Sequence, residues 1–272
     1  MILETLRFAK RQTVLATHLL RMSPRGFMSW LFSTGNERYA RFQRIFYDFQ
    51  AGRSSYGDRL CDHVVGSYED HDHWRDYDEY LMRYVGPEFR RRTALDFGCG
   101  PGRNLIKYHD RFARLDGVDI SSTNIENARI NVQRHGIALP TLYVNNGYDL
   151  GGIPSERYDF VMSTICMQHI CVHSTRLNLL REFHRVLQDG GRLSIQMGYG
   201  ADSPNTVPYD TDFTTALTTN RGCDVEVRSP DQIERELTAV GFSEFKYWIR
   251  PTGPGDTHPN WIFFTAVKWG QI

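Results

Sequence analysis

The chain has 272 residues, 40% of them apolar and 24% charged, and its 32 basic and 32 acidic side chains leave a formal charge of zero. That composition is that of an ordinary globular protein and excludes disordered, collagen-like and disulfide-stapled classes; the missing basic excess argues against a nucleic-acid partner. Five cysteines (Cys61, Cys99, Cys166, Cys171, Cys223) are odd in number and form no CxxC pair, which points to reduced thiols rather than a disulfide framework or a zinc site.

From Met1 to about Gln50 the chain reads as helical, with "TVLATHLL", a break at "SPRG", then the aromatic-rich "FMSWLF" and "RFQRIFYDF". Arg7, Lys10, Arg11, Arg21, Arg25, Arg38, Arg41 and Arg44 face only Glu4, Glu37 and Asp48 there. A helical extension over residues 1–60, packed on the main domain or on a second copy in a homodimer, is the expected role, and peripheral contact with an anionic membrane stays open. No apolar run reaches the roughly 18 residues of a membrane span and the order of a signal peptide is missing, so a soluble, cytoplasmic protein is expected. "AGRSSYGD" at 51–58 reads as a loop and "HWRDYDEYLMRYVG" at 73–86 as an amphipathic helix. Asp70, His71, Asp72 and His73 are metal-capable types, but alternating neighbours on one short segment do not converge on an ion without partners elsewhere, so no metal site is assigned.

From residue 93 short apolar runs alternate with helical stretches. Strands are predicted at 94–97, 115–119, 141–144, 158–163 and 192–197, with helices at 103–112, 122–135 and 174–187 between them. Such alternation implies βαβ units and a doubly wound, parallel sheet. "SPDQIERELTAVGF" then reads as a capped helix, and "FKYWIRP" and "WIFFTAVKW" as two strands joined by "TGPGDTHPN" in an antiparallel hairpin closing the sheet edge. The fold class is thus α/β, a mostly parallel seven-stranded sheet with an antiparallel last strand and an N-terminal helical extension.

"ALDFGCGPGRN" at 94–104 places Gly98, Gly100 and Gly102 in the turn from the first strand into its helix. In an open α/β sheet ligands bind beyond the carboxyl ends of the strands, and glycine lets the backbone take positive φ with a ligand lying against it. A Walker loop needs GxxxxGK[ST], which is absent; GxGxxG fails because Arg103, or Leu105 in the alternative frame, stands at the third glycine. Asp96 just before the loop repels phosphate and favours a cation.

In "LDFGCGPG" the sequence resembles the class I, Rossmann-like S-adenosylmethionine-dependent methyltransferases, whose motif D/E-x-G-x-G-x-G is met at Asp96, Gly98, Gly100 and Gly102. The resemblance extends over roughly residues 75–270, giving a domain at 61–272 with S-adenosylmethionine as cofactor. It implies that Asp119 in "LDGVDIS" takes both ribose hydroxyls, a sound use of one carboxylate, and that Ile120 packs on the adenine. It also implies that Asn146 and Gly147 in "VNNGYDL" read the adenine edge; Asn replaces the family's usual acid there, with Asp149 as a substitute.

After the fourth strand "STICMQHI" lacks [DN]-PP-[YF], has no Pro-Cys step at Cys166 and offers no acids for magnesium, which leaves small-molecule methyltransferases acting on oxygen, carbon or nitrogen. His169 faces the cofactor's methyl by the resemblance and is the candidate proton acceptor; Gln168 is a candidate cofactor contact and His173 a helix start. An N-terminal helix often closes over the cofactor in this family, where Tyr68 or Trp74 would stack. The insertion at 200–228 is expected to act as a substrate lid, with Tyr199, Tyr209 and Phe213 lining the acceptor pocket. The expected partner is a small-molecule methyl acceptor, with a hydroxyl of a sugar, lipid precursor or secondary metabolite first. An RNA or protein methyltransferase and a non-catalytic cofactor-binding subunit are the alternatives.

Overall fold

The computed structural model describes residues 13, 16, 35–54, 77–200, 206–212, 224–253 and 258–269. Expectations for Tyr68, Trp74, Asp70, His71, Asp72, His73 and Phe213 lie outside these residues. Helix α1, Gly35–Ser54, is followed by the single turn α2, Tyr77–Tyr80, and by β1, Thr93–Phe97. Then come α3, Arg103–Lys107; β2, Arg114–Asp119; α4, Ser122–Arg134; β3, Leu142–Val144; β4, Tyr158–Thr164; α5, His173–Val186; and β5, Leu187–Tyr199. The strands β6, Thr206–Pro208, and β7, Asp224–Glu226, form a small parallel ribbon, and α6, Pro230–Val240, leads into β8, Phe242–Pro251, and β9, Asn260–Lys268.

The main sheet has the order β3-β2-β1-β4-β5-β9-β8. Its first five strands pair in parallel, and the last strand, β9, runs antiparallel between β5 and β8. Successive residues of the central strands serve opposite faces. Ala94, Phe160 and Met162 pack with Leu105, Ile125, Ala128 and Val132 of α3 and α4, whereas Leu95, Phe97 and Val161 pack with Leu179, Phe183, Ile233 and Leu237 of α5 and α6. Strands buried on both faces are what an apolar run without polar alternation encodes. Caps set the helix starts: Ser121 Oγ accepts the Asn124 N–H at 3.0 Å, and Ser229 and Gln232 make a reciprocal capping box with Pro230 in the first turn.

Several predicted boundaries change, β5 beginning at Leu187 rather than at 192 and β8 at Phe242. The helix expected at 73–86 is, among the described residues, the one turn Tyr77–Tyr80, and that expected at 103–112 ends at Lys107. Both are drawn together by Asp78, which accepts from Tyr108 Oη at 2.9 Å and pairs with Lys107 Nζ at 2.9 Å. The loop expected at 51–58 begins as helix, because Ala51 is buried and its carbonyl accepts from Asn127 Nδ2 at 3.3 Å, holding the end of α1 on α4.

Candidate active site

The strand order reverses between β1 and β4, and in such sheets the crevice opens there, beyond the carboxyl ends of the strands. β1 ends in the glycine loop. The Gly98 and Cys99 N–H groups bond the Val118 carbonyl at 2.8 and 3.1 Å, tying the loop to β2. Gly98 has φ +74°, and a Cβ on it would lie 2.3 Å from Cys166 Sγ, so this position requires glycine twice over.

Asp96 is fully buried; its Oδ1 accepts from Asn104 Nδ2 at 3.3 Å, and its Oδ2 meets no donor. Burial pushes this carboxyl up to about 7, against the Asn104 hydrogen bond and the charge of Arg103, which favour the ionised form. A buried, half-satisfied carboxylate below a bare main-chain loop suits a cationic ligand. Asp119, at the end of β2, is aimed by main-chain donors: Gly100 N–H to Oδ2 at 2.9 Å and Ser121 N–H to Oδ1 at 2.8 Å. Ile120 is half-buried, and its Cδ1 would stand 2.7 Å from a Cβ on Gly147, so the two predicted adenine contacts touch.

In "VNNG" the geometry separates two asparagines that the sequence does not. Asn146 Oδ1 accepts the N–H groups of Tyr148 and Asp149 at 3.0 and 2.9 Å, closing an Asx turn, and Asp149 Oδ1 in turn accepts the Gly151 N–H at 3.0 Å. Asn145 is buried, its N–H bonds the Asp119 carbonyl at 3.0 Å and its Oδ1 meets no donor. Sequence reasoning passes over Asn145; only the register of β3, which pairs Val144 with Asp119, reveals it.

After β4 the chain turns through Ile165, whose φ of +51° is strained for a β-branched residue and is held by Gln196 Oε1 on its N–H at 2.8 Å. Gln196 is fully buried and its Nε2 has no acceptor. Gln168 Oε1 accepts the Gly198 N–H at 2.9 Å, stapling this turn to the end of β5. The Cys166 thiol is pushed up by burial, with the charges of Asp119 and Asp96 adding, which keeps it a thiol.

Helix α1 roofs these loops. Tyr39 Oη donates to the His169 carbonyl at 2.9 Å and accepts the Cys171 N–H at 2.8 Å, and Gln43 Nε2 reaches the same carbonyl at 3.2 Å. Arg44 Nη2 bonds the Asn145 carbonyl at 2.8 Å, and Asp48 Oδ1 accepts from Ser121 Oγ at 2.7 Å and the Thr123 N–H at 3.1 Å. From Tyr39 to Asp48 the helix rises about 13 Å, enough to pass from the loop after β4 to the turn after β2, two strand spacings of about 10 Å away. The glycine loop of β1 lies between those anchors. The described part of the N-terminal segment, Gly35–Ser54, is helical, and α1 packs on the main domain.

His169 Nδ1 lies 2.5 Å from Asp224 Oδ1, and Asp224 Oδ2 lies 3.0 Å from His258 Nε2. Tyr47 of α1 sets its ring 6.5 Å from that of His169. Burial opposes ionisation of Asp224, and the two imidazoles more than offset it, holding its carboxyl well below the usual range. Sequence reasoning singles out neither Asp224 nor His258. The alternation "DVEV" signals a strand, but nothing local signals that its acid faces inward. Tyr209, expected to line the acceptor pocket, is buried, with its hydroxyl on Glu236 of α6 at 2.7 Å and its carbonyl bonded by Arg176, while Tyr199 is half-buried at the end of β5. His173 begins α5 and pairs with Glu236. Among the described residues no three His, Cys, Asp or Glu converge on a metal position, and no helix is long and apolar enough to cross a membrane.

Residues 95–195 match a family described as a methyltransferase domain. The chain is 31% identical over 108 residues to trans-aconitate 2-methyltransferase from Methylobacterium radiotolerans, spanning 39% of this chain and 38% of that protein. It is 27% identical over 120 residues to geranyl diphosphate 2-C-methyltransferase from Streptomyces ambofaciens, spanning 42% and 38%. The matched stretch thus spans less than half the length of these curated relatives. Among solved structures the [4+2]-cyclase SpnF aligns with a TM-score of 0.61 at 16% identity, covering 85% of this chain and 97% of that one, a likeness of fold alone. Residues 95–195 are thus a methyltransferase domain, and the sheet order with its antiparallel last strand and the glycine loop between Asp96 and Asp119 are those of the class I S-adenosylmethionine-dependent methyltransferase fold.

Proposed function

We propose that this protein transfers the methyl group of S-adenosylmethionine to a hydroxyl of a small molecule such as a sugar, a lipid precursor or a secondary metabolite. The cofactor, when bound, supplies a methyl group already activated by a positive sulfur. The chain's share is to hold the cofactor, align the acceptor and exclude water. The residues fit that ligand: Asp96 Oδ2 lies buried without a donor where a cation is welcome, Asp119 is aimed by two main-chain N–H groups to take a ribose diol, and Asn145 Oδ1 is an unfilled acceptor for an adenine amino group. Gly98, Gly100 and Gly102 cradle the ligand, Ile120 and Gly147 flank the adenine, and Gln168 and Asn146 hold the flanking loops through main-chain bonds.

The observation that carries the hydroxyl reading is the His169–Asp224 contact at 2.5 Å on the loop after β4. His169 Nε2 would take up the proton that an acceptor hydroxyl gives up on receiving the methyl group. The relatives, named for methylating trans-aconitate and geranyl diphosphate, support a small acceptor. The test is S-adenosylhomocysteine release from a panel of sugars, phenols and prenyl alcohols, read by mass spectrometry. Turnover with at least one hydroxyl acceptor, reduced about 10²-fold or more in His169→Gln with cofactor binding intact, is the expected result. Methylation of RNA or protein only, or no turnover at all despite cofactor binding, would replace this reading; an unaltered rate in His169→Gln would end the role of that residue.

A further inference from the structure

We infer that Asp224, braced by His258, is a positioning residue that fixes the ring of His169 with Nδ1 protonated and Nε2 unprotonated. The catalytic use of that arrangement rests on the reading of His169 as proton acceptor. The arrangement itself rests on geometry. His169, Asp224 and His258 come from three separate segments, the loop after β4, the start of β7 and the loop before β9, and successive partners are 55 and 34 positions apart in the chain. Their side chains are 22%, 6% and 0% exposed. Burying an ionised carboxylate is costly unless its oxygens are satisfied, and each oxygen of Asp224 has one imidazole nitrogen.

An ionised carboxylate accepts and cannot donate, so the nitrogen facing each oxygen carries a proton. For His258 this makes Nε2 the protonated nitrogen, and its Nδ1, buried with no partner, is then a lone pair rather than a stranded donor. For His169 the same logic protonates Nδ1 and leaves Nε2 as the basic nitrogen. When Nε2 takes up a proton, the Asp224 charge beside Nδ1 stabilises the imidazolium.

The surrounding structure is built around this set. A Cβ on Gly198 would lie 2.2 Å from the His258 ring, so glycine at this point of β5 makes room for the imidazole. Asp224 is held in the ribbon by pairing with Thr206, and the chain after β7 is tied to the end of β5 by the Tyr199–Val227 bridge and the Gly200 N–H on the Val227 carbonyl at 3.0 Å. Val225 and Val227 are fully buried, so the chain that follows Asp224 is anchored in the core. The insertion therefore contributes a fixed carboxylate to the His169 side of the cleft.

The tautomer is directly observable. In full-length protein labelled with ¹⁵N-histidine and saturated with S-adenosylhomocysteine, long-range ¹H–¹⁵N correlation spectra report which ring nitrogen is protonated, with His169→Gln giving the assignment. The wild type is expected to show His169 with Nδ1 protonated. Asp224→Asn is expected to shift His169 toward the Nε2-protonated form and to lower kcat about 10²–10⁴-fold on a hydroxyl acceptor from the release assay, with S-adenosylhomocysteine affinity within about twofold of wild type. His258→Gln, which places an amide donor near the lost Nε2, is expected to preserve the wild-type tautomer. A wild-type His169 protonated at Nε2, or an unchanged tautomer in Asp224→Asn, overturns the inference, and the wild-type spectrum decides even if the variant does not fold. A tautomer shift with kcat unchanged would uphold the positioning and instead remove His169 as proton acceptor.

Discussion

Gly100 and Asp119, which touch at the glycine loop, stand 19 residues apart within one βαβ unit, whereas His169 and Asp224 are 55 apart and Asp224 and His258 a further 34. The first set is positioned by its own strands: once β1 and β2 pair, Val118 holds Gly98 and Gly100 holds Asp119. The second forms only when the ribbon and the β8–β9 connection have docked, so more chain entropy stands behind each contact. Substitutions in the first set should therefore act on cofactor affinity, and those in the second on turnover.

The sharpest way to break that division is Gly98→Ala. Left-handed backbone costs an alanine about 1–2 kcal/mol, and forcing a methyl against a packed neighbour adds about 1–3 kcal/mol; here the neighbour is Cys166 Sγ at 2.3 Å. A loss of about 2–5 kcal/mol in stability is expected in denaturant melts, and any displacement of the loop that relieves the clash weakens S-adenosylhomocysteine binding in calorimetry, with the His169 tautomer unchanged. An unchanged affinity would mean that the loop does not cradle the cofactor. Asp119→Ala comes next, with about 1.5–3 kcal/mol lost for hydrogen bonds to a charged group; equal binding to wild type would take Asp119 out of the site.

The same contrast separates the residues that the sequence makes legible from those it hides. The glycine loop, Asp96 and Asp119 are legible because spacing along one strand–turn–helix determines where they meet, and apolar runs such as "YDFVMST" announce central strands. Asn145 is not, since neighbouring asparagines differ only through strand register. Asp224 and His258 are invisible because burial of a lone polar residue depends on segments far away in the chain. The helical character of α1 is local, but its place over the glycine loop rests on Tyr39 and Asp48, whose partners His169 and Ser121 lie 130 and 73 residues away.

A smaller effect, roughly tenfold, concerns Asp96, whose carboxyl burial pushes up to about 7. A cationic ligand favours the ionised form, so affinity for S-adenosylmethionine should be full above this value and fall about tenfold between pH 8 and pH 6. Stability of the cofactor-free protein runs the other way. A folded-state pKa raised from the ordinary 3.8 gives stability that is fully present below 3.8 and lost as pH rises through about 7. Asp96→Asn should flatten both dependences, in calorimetry and in thermal melts; a pH slope surviving in that variant would assign the titration to another group.

Tyr39→Phe is the mildest change and asks whether the two sides of the cleft are independent. Its hydroxyl is the acceptor for the buried Cys171 N–H at 2.8 Å and one of three donors to the His169 carbonyl, the others being Gln43 Nε2 at 3.2 Å and the Cys171 thiol at 3.9 Å. Removing it strands the Cys171 N–H, at a cost of about 1–2 kcal/mol and a few degrees in Tm. Arg44 and Asp48 still anchor α1 over Asn145 and Ser121, so the roof on the cofactor side keeps its bonds. S-Adenosylhomocysteine affinity should thus barely move while kcat falls as the His169 loop loosens. A parallel loss of affinity and rate would instead show that α1 transmits strain from the loop after β4 to the glycine loop, and the two sides would have to be treated as one mechanical unit.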